Sequence, residues 1–260
     1  MQKAFFIEIM IIDFPLTFQI FGKTVLAHPV FETVGIFLAM RYYFYLKRKS
    51  SEKMSFSSSA AVLIGATAGA LIGSKLIGNL ENPYLLFNDF NIKRFWTNNT
   101  IIGGLSFGLI GVELAKKIVG YQKSTGDLIV FPLILAMIIG RIGCFFTGVY
   151  EETYGIPTDS IFGMHLGDQY LRHPVALYEI VFLIILWIAL KSIQLKLKFS
   201  SGFIFQIFML SYFTFRLMLD FIKPKVEILG NLGTIQLVCI VVIIYYIFKM
   251  RNTLNQKSNP

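Results

Sequence analysis

The chain has 260 residues, 55% of them hydrophobic and 15% charged, with a mean hydropathy of +0.65, whereas a soluble domain carries about 25% charged residues. Apolar stretches recur along the whole length with short polar gaps, which excludes a soluble globular enzyme and a disordered chain and describes one polytopic membrane domain over residues 1–260. The net charge of +9 sits mostly in short loops between apolar stretches, where it reports membrane topology, and no nucleic-acid partner is expected.

In chain order, residues 1–26 read as an N-terminal arm lying at the membrane interface. Glu8 and Asp13 interrupt its apolar run and no small-residue cleavage site follows, so a removable signal peptide is not expected. Seven stretches then reach the roughly 20 apolar residues that cross a bilayer: 27–46, 56–79, 100–119, 127–150, 173–191, 202–222 and 230–249. The expected fold is therefore all-α with seven transmembrane helices. Gly65, Gly69 and Gly73 in the second stretch, and Gly104, Gly108 and Gly111 in the third, stand at helix-packing spacing. The 150–172 segment, acidic and holding Gly155, Pro157, Gly163 and Gly167, is a long outer loop that would serve as a lid or stay irregular.

Lysine and arginine near span ends are retained on the cytoplasmic side. With the N-terminus outside, thirteen basic residues fall inside, in 47–53, 116–123, 191–198 and 249–257, and seven fall outside: Lys3, Lys23, Lys93, Arg94, Arg172, Lys223 and Lys225. That split predicts a cytoplasmic C-terminus.

A charge at the centre of a span costs about 2.5–3.5 kcal/mol on insertion scales, so it persists where it finds a partner or a wet cavity. Arg41, Lys75 and Glu113 lie near helix ends and are expected to snorkel. Arg141 and Arg216 each fall well inside a span running from inside to outside, roughly 21 Å from its inner end at about 1.5 Å per residue. Glu179 lies about 9 Å below the outer end of the fifth span by the same rise, and Asp220 is one turn from Arg216, at i+4. Two readings follow. Arg216 with Asp220 and Arg141 with Glu179 are structural ion pairs, or the two guanidinium forks capture the phosphodiester of an anionic phospholipid. Cys144 and Cys239 lie in apolar stretches and read as packing, and neither a disulfide framework nor a metal cluster is expected.

The run Gly140-Arg141-Ile142-Gly143-Cys144-Phe145, with Glu152-Thr153-Tyr154-Gly155 and Pro157-Thr158 after it, resembles the signature of the prolipoprotein diacylglyceryl transferases. Arg172-His173-Pro174 with Leu177-Tyr178-Glu179, and Tyr212 with Phe215-Arg216, Asp220 and Lys223-Pro224, resemble two further motifs of that family in the same order. The resemblance implies a seven-span bacterial inner-membrane enzyme that moves the diacylglyceryl group of phosphatidylglycerol onto the lipobox cysteine of a prolipoprotein signal peptide. It implies no cofactor and no metal. On this resemblance Arg216, Asp220, Glu152 and His173 are the candidate catalytic residues, and Arg141, Tyr212, Glu179 and Gly155 the candidate substrate-binding residues. The chain departs from the family at three places. Cys144 and Thr147 stand where asparagines are usual, and Val175-Ala176 replace Ser-Gln. In Gly103-Gly104-Leu105-Ser106-Phe107 the histidine that usually follows the phenylalanine is absent. The proton acceptor is thereby left open among Glu152, His173 and His28. The alternative reading is a divergent member that binds or transports an anionic phospholipid without transfer. A retinal protein is set aside, because the seventh span has no lysine before Lys249.

Overall fold

A computed structural model describes residues 13–50, 54–196 and 201–258. Residues 1–12 of the expected interfacial arm lie outside the described residues. The rest of the arm is a two-stranded antiparallel hairpin, β1 (Thr17–Ile20) paired with β2 (Lys23–Leu26) so that Thr17 faces Leu26. Its two-residue turn, Phe21-Gly22, has both residues at positive φ, the backbone that matches the right-handed twist of a tight hairpin. The side chain of Phe21 stands fully exposed at the tip.

Helices fill most of the remainder, in the order α1 (Ala27–Lys49), α2 (Phe56–Leu80), α3 (Pro83–Phe87), α4 (Ile92–Thr97), α5 (Ile101–Ile118), α6 (Gly126–Thr147), α7 (Val175–Lys196), α8 (Phe203–Leu219) and α9 (Thr234–Ser258). A further antiparallel pair, β3 (Met164–His165) with β4 (Leu171–Arg172), sits in the long loop after α6. The chain is thus mostly helical, as expected of an all-α membrane protein, and carries two small hairpins that the sequence did not announce. The seven expected stretches correspond to α1, α2, α5, α6, α7, α8 and α9, and among the described residues five of these, α2, α6, α7, α8 and α9, are long and apolar enough to cross a membrane. Helix α1 carries His28, Glu32 and Arg41, and α5 ends on Glu113, Lys116 and Lys117, so both are long but more charged. The short helices α3 and α4 were not expected; each starts on an asparagine, Asn82 and Asn91, whose side chain accepts backbone N–H groups of the first turn.

The glycines of α2 and α5 let the two backbones touch. A Cβ added to Gly103 would collide with the carbonyl of Gly73, one at Gly111 with the carbonyl of Gly65, and one at Gly69 with the carbonyl of Phe107. Close helix packing is therefore what this spacing does. Helix α1 packs along α6, where a Cβ on Gly143 would lie 2.8 Å from Cβ of Phe31 and 2.9 Å from Cα of His28. Helix α8 lies at the centre against α6, α7 and α9. Its Phe208, Met209, Tyr212 and Phe213 are fully buried with Ile134, Leu183, Cys239 and Tyr246. At the far end from the long loop, Asp127 of α6 accepts the backbone N–H groups of Gly202 at 2.6 Å and Phe205 at 2.9 Å, which fixes the start of α8.

Lys75 does not snorkel to water as expected. It is buried, and its ammonium donates to the carbonyl of Trp96 while lying 5.6 Å from that ring's centre. Glu113 pairs with Lys116 one turn on, at 3.2 Å.

Candidate active site

Three helices bring charged side chains together near the end that carries the long loop. Arg141 lies in the last two turns of α6, Glu179 in the first turns of α7, and Tyr212 and Arg216 on α8, with Asp220 opening the 3-10 turn that follows. The outward faces of α7 and α8 are apolar, so the charges are confined to the faces where the helices meet. Glu179 is 1% exposed, Arg216 and Asp220 4% each, and Tyr212 is fully buried.

Glu179 is the hub. Its Oε1 lies 2.9 Å from Nε of Arg141 and its Oε2 3.6 Å from Nη1 of Arg216, and the Tyr212 hydroxyl donates to Oε1 at 2.7 Å. Arg216 reaches Asp220 less closely, at 3.9 Å. The two arginines therefore share one carboxylate at one level of the bundle instead of splitting into two separate pairs. Arg216 Nε is buried and has no hydrogen-bond partner among the described residues. A buried N–H left unpaired costs about 1–3 kcal/mol, so this donor is open to an acceptor from outside the cluster.

A second cluster adjoins the first. Arg141 Nη1 lies 3.5 Å from Sγ of Cys144, and that sulfur lies 3.7 Å from Nε2 of His28. The other ring nitrogen of His28, Nδ1, pairs with the Glu151 carboxylate. Cys144, expected only to pack, thus joins a thiol, an imidazole and a carboxylate to the arginine site. Among the described residues no three His, Cys, Asp or Glu side chains form a metal-ligand set. Cys144 and Glu151 engage opposite nitrogens of His28, so the three do not surround one point.

The expected site residues in the long loop take structural positions around this core. Gly155 donates its N–H to the carbonyl of His173 at 3.1 Å, and a Cβ there would lie 2.6 Å from that carbonyl oxygen, so the loop closes only on glycine. The N–H of Ile156 bonds the carbonyl of Ile222 at 2.9 Å, tying the loop to the end of α8. His173 Nδ1 lies 3.2 Å from the Tyr178 hydroxyl. Arg172 pairs with Asp168 at 2.8 Å and stacks on Tyr154, its guanidinium 4.8 Å from the ring centre. That hydrogen bond holds the Asp168 carboxyl below its ordinary value. Glu152 is exposed; its neighbour Glu151 turns inward to His28. Burial pushes the Glu81 carboxyl up and the Lys223 ammonium down, with the charge of Arg216 adding to the effect on Lys223.

The sequence pattern of the family described as prolipoprotein diacylglyceryl transferase matches residues 15–251. The chain belongs to this family. Among curated relatives, the phosphatidylglycerol–prolipoprotein diacylglyceryl transferase of Ehrlichia ruminantium (strain Welgevonden) is 30% identical over 209 residues, covering 75% of this chain and 78% of the relative. That of Methylococcus capsulatus is 31% identical over 217 residues, 75% and 74% of the two chains. That of the Wolbachia of Culex pipiens is 29% identical over 259 residues, 89% and 93%. Family membership covers the helices that carry Arg141, Glu179, Tyr212 and Arg216 and the start of α1 that carries His28. Sequence reasoning brought the arginines and Glu179 to one depth. It missed the contacts of His28 with Cys144 and with Glu151, because these join positions 116 and 123 residues apart.

Proposed function

We propose that the chain transfers the diacylglyceryl group of phosphatidylglycerol to the lipobox cysteine thiol of a prolipoprotein and releases glycerol phosphate. Arg141 and Arg216 converging on Glu179, with the Nε of Arg216 unpartnered, is the observation that carries this reading. Both guanidiniums are pre-positioned by one buried acid, so little ordering is required when a phosphodiester arrives. In this reading the arginines bind the phosphate and stabilise the charge that develops on it as it leaves. Tyr212 and Asp220 hold Glu179 and Arg216 in place, while Gly155 and His173 close the loop over the site. The curated relatives bear the names of enzymes with these two substrates. Seven spans, with the N-terminus outside and the C-terminus in the cytoplasm of a bacterial inner membrane, place the site in the outer leaflet, where the exported signal peptide arrives; the thirteen-to-seven split of basic residues supports this orientation. The test is to incubate purified protein with phosphatidylglycerol and a lipobox peptide and to follow the mass of the peptide cysteine. A diacylglyceryl increment is the expected result. Lipid binding without any increment would replace transfer by the lipid-binding alternative.

A further inference from the structure

We infer that His28, held by Glu151, is the proton acceptor for the incoming cysteine thiol. This inference rests on the transfer reading and adds to it the group that makes the nucleophile. In the arginine cluster a guanidinium stays protonated, Glu179 is occupied by Arg141, Arg216 and Tyr212, and Asp220 faces Arg216. His173, the other imidazole considered from the sequence, is engaged with Tyr178.

The geometry points to His28 because one sulfur atom already spans the gap between it and the phosphate-binding arginine. Cys144 Sγ stands 3.5 Å from Arg141 Nη1 and 3.7 Å from His28 Nε2. A thiol presented to a phosphate on Arg141 therefore comes within reach of the same imidazole. Glu151 on Nδ1 fixes the ring orientation and directs Nε2 toward sulfur, which is the nucleophile, base and orienting-acid order of activated thiols. Cys144 is not the carrier of the lipid. Alkylation of its sulfur by the glycerol carbon would give a thioether whose sulfur is too poor a leaving group for a second displacement.

In the proposed step the acceptor S–H bond breaks and its proton passes to His28 Nε2. The sulfur lone pair forms the new C–S bond to the terminal glycerol carbon of the diacylglyceryl group. The C–O bond to the phosphate breaks, and its electron pair leaves on glycerol phosphate, which gains one negative charge held by Arg141 and Arg216. The imidazolium then gives its proton to that phosphate or to water.

The test uses the full chain in the transfer assay with four proteins: wild type, His28→Gln, His28→Ala and Glu151→Gln, each checked for thermal unfolding. His28→Gln is expected to lower kcat by about 10²–10⁴-fold with KM for phosphatidylglycerol within about threefold. Added imidazole should restore part of the rate in His28→Ala, which a merely structural role would not produce. Glu151→Gln keeps the imidazole and should lower kcat less steeply, again at unchanged KM. Near-wild-type kcat in folded His28→Gln overturns the inference and leaves the transferase intact. If both His28 variants fail to fold, full kcat in folded Glu151→Gln overturns it. A wild type that binds lipid but never transfers overturns the underlying reading first, and the two failures are told apart by which protein fails.

Discussion

At the scale of the residue, one carboxylate between two guanidiniums makes unequal forecasts for neighbouring acids. Glu179→Gln removes the partner of both arginines, and breaking a buried charge pair costs about 3–5 kcal/mol; Asp220→Asn loosens a contact already at 3.9 Å and should cost distinctly less. Thermal unfolding of both variants in matched detergent tests this, and equal losses would mean that Glu179 is not the hub. Arg141→Lys and Arg216→Lys keep the charge but lose the planar fork, so transfer should fall by at least about 100-fold in proteins that still fold. Full activity in both would remove the phosphate clamp. The loop offers a pH-dependent residue, because Arg172 holds the Asp168 carboxyl below its ordinary value of 3.8. A carboxyl lowered on folding stabilises above its unfolded value, and the contribution disappears as the pH falls through the lower folded value. Amide protection across 157–172, corrected for intrinsic rates, should hold from pH 7 down to about pH 4 and fall below it. In Asp168→Asn the protection should already be reduced at pH 7, by no more than the 0–1 kcal/mol of a part-exposed pair.

Elements set the tolerance of the bundle to substitution. Helices α2 and α5 meet backbone to backbone at Gly65, Gly73, Gly103 and Gly111, where the obstructing atoms are carbonyls that cannot swing aside. Gly103→Leu or Gly111→Leu should therefore reach or exceed the upper part of the roughly 1–3 kcal/mol typical of overpacking. Gly140, which meets nothing within 4 Å, should accept alanine with little change. Unfolding temperatures of the three variants decide it, and a tolerated leucine at Gly103 would contradict the close approach. These long helices were legible because continuous apolar runs of span length have few other solutions in a membrane. The hairpin at Thr17–Leu26 was not, since its turn residue Phe21 is a type that rarely adopts positive φ and gives no turn signal. Nor was the choice between Glu151 and Glu152. The chain leaves α6 through a 3-10 turn at Gly148–Tyr150 and becomes extended at Glu151, and the helical period that could say which acid faces inward is lost there. The shared depth of Arg141 and Arg216 was legible from helix rise alone, whereas their common partner depended on how α6, α7 and α8 are rotated, which apolar helices encode weakly.

For the whole molecule, the proposed orientation makes a direct forecast. Reporter fusions should place 47–53 and the C-terminus in the cytoplasm and 150–172 outside; a cytoplasmic 150–172 would put the arginine site on the wrong face of the membrane for an exported substrate. The two ends of the site are joined by main chain as well as by side chains. The N–H of Leu16 bonds the carbonyl of Phe146, and the N–H of Ala27 bonds the carbonyl of Leu16, which anchors the first turn of α1 to the end of α6. This pairing imposes an order of assembly. Helix α1 is more charged than the five most apolar helices, and the partner of its His28 is 123 residues further along the chain. At synthesis rates of about 5–20 residues per second that interval is roughly 6–25 s. During it, His28 must rest at the membrane surface or be sheltered by the insertion machinery. Nascent chains arrested before α6 should show α1 incompletely inserted by glycosylation mapping, and chains arrested after Glu151 should show it fully inserted, so the candidate base is committed to the membrane only when the helix that uses it arrives.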